Sequence, residues 1–207
     1  MFNGKKLRVA VAGALAFAVT PLMAAEQCYD FSNMPVGTSY RIGDEVDISI
    51  GKVKIREFIK DGAVLVPTSG IDQHLEITQS QLAQDAAPEV ALTLVGMQVI
   101  PRKPVKEVSM LVAQQLGVGA NLPAYIEING EKHDFAGSFT QADNKVLGDA
   151  ARGRARFKAD LVQDAAGPNG PSYWYRGRMG ARAVSGGIET ITVGGQAVRL
   201  DKVCFKR

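Results

Sequence analysis

Val198–Phe205, with the sequence Val-Arg-Leu-Asp-Lys-Val-Cys-Phe, is an apolar stretch typical of a β-strand, and it contains Cys204. The only other cysteine of the chain lies in a similar stretch, Cys28-Tyr-Asp-Phe31. A disulfide between the two requires Cα atoms within about 7 Å, which would place the first and last strands side by side. The residues between them would then form one closed unit. Two free, buried cysteines are the alternative.

The apolar residues of this last stretch change their alternation. Val198 and Leu200 occupy even positions, whereas Val203 and Phe205 occupy odd positions. Successive side chains of a strand point to opposite faces, so one regular strand cannot bury all four on the same face. A β-bulge at Asp201-Lys202 would reconcile them with a single core face. A last strand that is buried on both faces is the alternative.

Residues 1–25 are typical of a secretory signal peptide. Basic residues precede the apolar run Val9–Val19, which has the length of a signal-peptide core. An uncleaved membrane anchor is the alternative, but a bilayer span needs about 20 apolar residues. We therefore predict cleavage, a mature single domain of residues 26–207 without a membrane span, and a secreted or periplasmic location. Disulfides persist in such compartments, which favours a Cys28–Cys204 bridge.

The mature chain is close to electrically neutral. The precursor has 24 basic and 21 acidic residues, and residues 1–25 contain three of the basic ones and none of the acidic ones, which leaves 24 − 3 = 21 basic residues. A balanced charge does not favour a general polyanion-binding protein, and we expect no nucleic-acid partner. Binding of an anion must therefore depend on an uneven placement of the cations.

Short alternating segments separated by turns run through the mature chain. Val46–Ile50 and Lys52–Arg56 alternate apolar and polar residues, as half-buried strands do. Asn129-Gly130 favours a type I′ hairpin turn, and Gly194-Gly195 predicts a similar turn. A sustained helical period is absent from the sequence. Turn signals at intervals of about 8–12 residues therefore predict an all-β fold, a single antiparallel β-sandwich.

Four short motifs resemble those of exported bacterial jelly-roll domains, which are similar to the β-sandwich carbohydrate-binding modules. They are Cys28-Tyr-Asp-Phe31, Pro35-Val-Gly-Thr-Ser-Tyr40, Tyr125-Ile-Glu-Ile-Asn-Gly130 and Leu200-Asp-Lys-Val-Cys-Phe205. The resemblance implies a β-sandwich of jelly-roll type in which the first and last strands are adjacent. It also implies a glycan ligand.

The same resemblance implies a structural calcium ion near the two termini, bound by an aspartate of the final strand. Asp201 occupies that position, and Asp30 could face it. Many members of the family have Asp or Asn after this aspartate, whereas this chain has Lys202. We expect no other cofactor.

Two segments place cations on one side of a predicted strand. In Arg152–Ala159 the basic residues are even-numbered and the apolar residues are odd-numbered. In Tyr173–Arg182 a tryptophan and three arginines are likewise even-numbered. Gln163–Ser172 predicts a loop, so the two segments are expected to pair as a hairpin with one basic outer face. The candidate ligand-binding residues are Arg152, Arg154, Arg156, Lys158, Trp174, Arg176, Arg178 and Arg182.

Like charges that face one another on a sheet are destabilising, so this face should have a partner. The internal alternative is a set of acidic side chains from a neighbouring strand, for which Glu127, Glu131 and Asp134 are candidates. The external alternative is an anion that is bound by the arginines and stacked on Trp174.

No catalytic motif is present in the sequence. There is no Gly-x-Ser-x-Gly elbow, and the two histidines, His74 and His133, lack metal-ligand spacing. We therefore favour a non-catalytic module that binds an extracellular, anionic glycan. A structural or assembly role at the cell surface, through contacts with another protein, is the alternative. A hydrolase is the third hypothesis.

Overall fold

The computed structural model describes residues 25–60, 63–64, 71–79, 87–116, 123–135, 139–164 and 173–207. The signal peptide predicted for residues 1–25 lies outside this part of the chain, apart from Ala25. The described residues contain one short 3₁₀ helix, Phe139–Ala142, and fifteen strands. The strands are β1 Gln27–Tyr29, β2 Ser39–Tyr40, β3 Glu45–Ile48, β4 Gly51–Glu57, β5 Ile59–Lys60, β6 Ala63–Val64, β7 His74–Thr78, β8 Glu89–Pro101, β9 Glu107–Leu116, β10 Ala124–Ile128, β11 Glu131–Phe135, β12 Val146–Leu147, β13 Ala155–Asp164, β14 Tyr173–Ala183 and β15 Ile191–Lys206.

Thirteen of these strands form one antiparallel sheet, and β5 pairs with β6 separately. The main order of the sheet is β12-β13-β14-β9-β15-β8-β4-β3. Further strands extend it, since β7 pairs with β8, β2 with β7, β10 and β1 with β15, and β11 with β10. No described helix is long and apolar enough to span a membrane.

The two longest strands, β8 and β15, lie side by side in the middle of the sheet and share an irregular stretch of pairing. Each strand has one residue without a partner in the other between the pairs Gly195↔Val95 and Val198↔Leu92, so the register shifts twice there. The bulged residues are Leu94 and Ala197, whose φ angles are 51° and 56°. Bulges of this kind increase the local twist of a strand. The sheet therefore folds over at this double bulge.

The apolar side chains of the sheet pack together in one main core. Leu75 of β7, Ile126 of β10 and Phe157 of β13 are all buried in it. Alternation along each strand delivers these residues to the same side as their buried neighbours. The predicted all-β, antiparallel sandwich is confirmed.

The bulge predicted at Asp201-Lys202 is present in β15. Leu200 is opposite Val112 of β9 and Val203 is opposite Met110, so two residues of β15 face one residue of β9. The bulge changes the parity of the strand, and Leu200 and Val203 are both fully buried as a result.

The first and last strands are adjacent, as predicted. β1 pairs with the end of β15 so that Cys28 lies opposite Cys204. Their sulfur atoms form a disulfide, and their Cα atoms are 4.0 Å apart. The bridge indicates a non-reducing environment.

A small apolar cluster lies apart from the main core, where Tyr125 of β10 covers two glycines. A Cβ atom at Gly194 would lie 2.0 Å from Cε1 of Tyr125, and one at Gly96 would lie 2.2 Å from its hydroxyl oxygen. Phe58 packs edge-to-face on the same ring, at 5.3 Å between centroids. Burial, followed by the nearby Glu127 carboxylate, raises the pKa of the Tyr125 phenol above its usual range. The two glycines are thus required where the ring lies on the bent strands.

Candidate functional site

The predicted basic hairpin exists. β13 pairs with β14 along the whole length of β13, with Arg156 opposite Arg182 and Asp160 opposite Arg178. Phe157 is fully buried, whereas Arg156 and its even-numbered neighbours are exposed. The side chains of β13 therefore alternate between the core and solvent. The hairpin therefore presents a charged outer face.

Three further strands extend this outer face. β9 lies beside β14, with Glu107 opposite Arg182 and Ser109 opposite Gly180. The end of β15 lies beside β9 with Cys204 opposite Ser109, and β1 lies on its other side. The face thus runs without interruption from β13 to the disulfide.

A groove of about 510 Å³ crosses this face, and we call it the basic groove. Its floor has a gap at Gly180, which lies between Lys158 of β13 and Ser109 of β9. A Cβ atom at Gly180 would lie 2.2 Å from the carbonyl oxygen of Val108, so the close approach of β9 and β14 favours glycine there. The acidic residues that line the groove are Glu26, Glu107 and Asp160. The basic residues that line it are Arg156, Lys158, Arg178, Arg182 and Lys206.

The acids of the groove compensate its cations only in part. Glu107 is shared by two cations, at 3.1 Å from Nε of Arg182 and 3.9 Å from Nζ of Lys206. Arg156 donates a hydrogen bond of 3.2 Å to a main-chain carbonyl, that of Asn144. Lys158 makes no ion pair or side-chain hydrogen bond with any described residue. Five cations therefore line the groove with three carboxylates, and Lys158 has no partner among the residues that the structure describes.

The internal alternative holds in part, because Glu107 of the neighbouring strand β9 pairs with Arg182, but the three acids named as candidates for that role make other contacts. The carboxylate of Glu127 accepts a hydrogen bond from the Thr192 hydroxyl at 3.4 Å. Glu131 accepts one from the Gly148 amide at 3.2 Å. Asp134 pairs with its neighbour Lys132 at 2.6 Å. All three belong to β10 and β11, and β10 pairs with the Ile191–Gly195 part of β15 and not with β9, β13 or β14.

Three of the remaining candidate residues are not among those that line the groove. Arg152 and Arg154 are exposed and precede β13, and Arg176 is exposed further along β14. The backbone of Trp174 lies in β14 opposite Asp164, and its side chain lies outside the described part of the structure. Four of the eight candidates, Arg156, Lys158, Arg178 and Arg182, therefore meet in one site.

A second cavity of about 520 Å³ lies where the loops before β13 and after β14 meet, and we call it the end pocket. Arg152, Lys106 and Glu189 line it together with the main chain of Ser185–Gly187. Lys106 donates a hydrogen bond of 3.2 Å to the Gly186 carbonyl.

Asn129 of the β10–β11 turn fastens the loops around the end pocket. Its buried amide nitrogen donates to the carbonyls of Gly153 at 2.9 Å and Gly187 at 2.8 Å. Its amide oxygen accepts from the Glu189 N–H at 2.8 Å. The Asn-Gly pair thus forms the predicted turn and also fixes the shape of the pocket.

The disulfide lies on the outer face. Cys204 lines the basic groove and Cys28 is exposed, whereas their neighbours Tyr29, Val203 and Phe205 point into the core. Glu26, which precedes β1, contributes to the wall of the groove. The disulfide therefore attaches one wall of the candidate site to β15.

The calcium site implied by Asp30 and Asp201 stays a prediction. Asp30 accepts hydrogen bonds from the hydroxyl and the amide of Ser32, and these bonds, with Lys202 nearby, lower the pKa of its carboxyl group. Among the described residues, the one group of three potential metal ligands is Glu26 with the two cysteines, whose sulfurs are consumed in the disulfide. Calcium prefers several oxygen ligands, and Lys202 would oppose its charge. Two aspartates alone are fewer ligands than calcium prefers, so the site rests on the resemblance and not on a set of ligands among the described residues.

Comparisons with protein-family models, with curated proteins and with solved structures find no match. The relation to carbohydrate-binding modules thus stays a prediction. Function is inferred from the basic groove and its charges.

Proposed function

We propose that the protein is a non-catalytic module that binds an anionic extracellular glycan in the basic groove. The observation that carries the proposal is the convergence of five cations on one groove that crosses the outer face of the sheet. The groove has the volume of a small-molecule or oligosaccharide site, for which about 300–1,000 Å³ is usual.

An anionic ligand is supported by the arrangement of the cations. Arg156 lies directly opposite Arg182, and such like-charged pairs are destabilising. Arginine side chains bind carboxylate and sulfate groups through two parallel hydrogen bonds. A bound anion would therefore offset the repulsion between the arginines and would supply a partner for Lys158.

A glycan is favoured over a densely charged polymer because the groove also contains acids. Asp160 and Glu107 would repel nucleic acid or polyphosphate, which carry a charge on every unit. The same carboxylates accept hydrogen bonds from hydroxyl groups. A sugar chain that carries both acidic groups and hydroxyl groups fits this mixture. The disulfide supports a site that works outside the cytosol.

The test is affinity electrophoresis through gels that contain acidic or neutral polysaccharides. Wild-type protein should be retarded by acidic polysaccharides, and Lys158→Glu and Arg156→Ala should lose most of the retardation. Arg41→Glu is the matched control, because Arg41 is an exposed cation outside the groove. Trp174→Ala tests an aromatic contribution. Unchanged retardation of both groove variants would overturn the proposal.

A surface-assembly role is the second candidate, and an open strand edge favours it. Leu161–Asp164 of β13 pair with β14 on one side and with no described strand on the other. Val162 in this segment is 67% exposed. Unpaired edges can add a strand from another protein. Strictly monomeric behaviour at high concentration, with no partner recovered by cross-linking in the native envelope, would contradict this role.

A further inference from the structure

We propose, resting on the function proposed above, that the basic groove and the end pocket form one site for a linear oligosaccharide in which acidic and neutral sugars alternate. The groove would bind one acidic sugar and the end pocket a second one. Each cavity holds about 500 Å³, so together they exceed the space that a single sugar fills.

The two cavities share a border. Glu107 and Val184 line the groove, whereas their chain neighbours Lys106 and Ser185 line the end pocket. The carbonyl of Arg154 accepts hydrogen bonds from the amides of Val184 and Ser185 at 2.7 and 3.2 Å, which ties the loop before β13 to this border. The proposed path of the ligand leads from the groove past Glu107 to the end pocket, where the chain neighbours of the groove residues form the lining.

A line of exposed cations follows the same path. Arg152 lies in the end pocket, Arg156 lies in the groove, and Arg154 is exposed between them in sequence. Arg152 and Arg156 are four positions apart in the chain, which spans at most about 14 Å. No side-chain hydrogen bond or ion pair of Arg152 with a described residue is present, so its guanidinium is available to a ligand.

The acids define where neutral sugars would lie. Glu107 lines the groove next to Lys106 of the end pocket, and Glu189 is an acidic lining residue of the end pocket, as Arg152 is a basic one. A uniformly charged chain would place an anion against Glu107, whereas a neutral sugar would offer it hydroxyl groups as donors. Cations separated by an acid thus match a chain whose charges are separated by neutral units.

The end pocket is preformed, which supports its use as a second subsite. Asn129 is 1% exposed, and its hydrogen bonds all go to main-chain atoms of the surrounding loops. Little ordering entropy would then be lost on binding. These bonds do not involve the Arg152 side chain, so its truncation leaves the loops in place.

The experiment is calorimetric titration with hyaluronan and chondroitin oligosaccharides, from disaccharide to octasaccharide. In these chains acidic and neutral sugars alternate, and oligogalacturonides of equal length serve as the uniformly charged comparison. Affinity for the alternating chains should rise by about tenfold or more with length, because a second subsite is engaged without a second association step. The oligogalacturonides should gain less.

Two variants separate this proposal from the proposed function. Arg152→Ala should abolish the gain with length and leave disaccharide affinity unchanged, whereas Lys158→Ala should weaken the binding of every length. Arg41→Ala is the control for the loss of an exposed cation. Affinity that is independent of length, or an octasaccharide affinity unchanged in Arg152→Ala, would overturn the two-subsite proposal alone. Failure of every oligosaccharide to bind would overturn both proposals.

Discussion

Glu89 of β8 is a fully buried carboxylate, and its charge is compensated by Arg199 of β15. Arg199 also donates a hydrogen bond of 3.1 Å to the Thr78 hydroxyl of β7. The pair joins three neighbouring strands, β7, β8 and β15. A buried charge is costly once its partner is removed, because water cannot replace the lost interaction.

We therefore expect Arg199→Ala to lower the free energy of unfolding by about 3–5 kcal/mol. The matched control is Arg41→Ala, which breaks the exposed pair with Asp72 and should cost about 0–1 kcal/mol. Urea unfolding followed by circular dichroism measures both. Equal effects of the two substitutions would contradict the role assigned to burial.

Single residues of the site were predictable where they follow a local pattern. Arg156, Lys158, Arg178 and Arg182 were identified because alternation with apolar residues marks the outer side of a strand. Glu107 and Lys206 were missed, because their place in the groove depends on which distant strands flank β14 and β9. The even parity that Lys206 shares with Cys204 was the only local signal for it.

The β13–β14 hairpin combines stability and binding in a testable way. Arg156→Glu would place a carboxylate opposite Arg182, and an opposite charge pair contributes about 0.2–1 kcal/mol. We expect this variant to be slightly more stable than the wild type while it binds acidic polysaccharide less tightly. Lys158→Glu is the control, since Gly180 lies opposite and offers no partner. Thermal unfolding checks the prediction, and a loss of stability in Arg156→Glu exceeding that in Lys158→Glu would contradict it.

At the level of elements, the hairpin and the bulge in β15 were predictable, but the bend of the sheet was not. The parity change around Asp201-Lys202 is a period signal and predicted the bulge correctly. Leu94 and Ala197 carry no such signal, because residues other than glycine, asparagine and aspartate rarely adopt a positive φ. Their conformation follows from the pairing of β8 with β15 and not from local preference.

The disulfide closes a loop across a sequence separation of 176 residues. In the loop-entropy model a loop of this size stabilises the fold by about 5 kcal/mol. Reduction should lower the melting temperature without abolishing folding, because the main apolar core includes residues from most strands and does not depend on the disulfide. Calorimetry with and without reductant measures the shift, and Cys28→Ser with Cys204→Ser is the matched variant. Two free thiols in denatured, unreduced mature protein would refute the bridge.

For the whole molecule, two cysteines and a series of turn signals were sufficient to predict an all-β sandwich with adjacent first and last strands. The turn predicted at Gly194-Gly195 is wrong, because both glycines lie inside β15 and pair with β8 and β10. Local motifs could not predict the ligand, because the groove is assembled from strands far apart in sequence. Secretion also stays a prediction, and the disulfide supports only a non-reducing compartment.

β15 has a consequence for how the protein is made. It pairs with β1, β8, β9 and β10, and all four precede it in the chain. A ribosome synthesises the N-terminus first, so each of these strands must wait for Ile191–Lys206 before its sheet edge is covered and the core closes. Until then the nascent polypeptide has no complete fold, and contacts of such long range form slowly. A chain that cannot complete its fold before β15 is synthesised would stay competent for passage through a narrow translocation channel, as the secretion predicted from the sequence requires. The corresponding risk is aggregation through the strands that β15 has not yet covered.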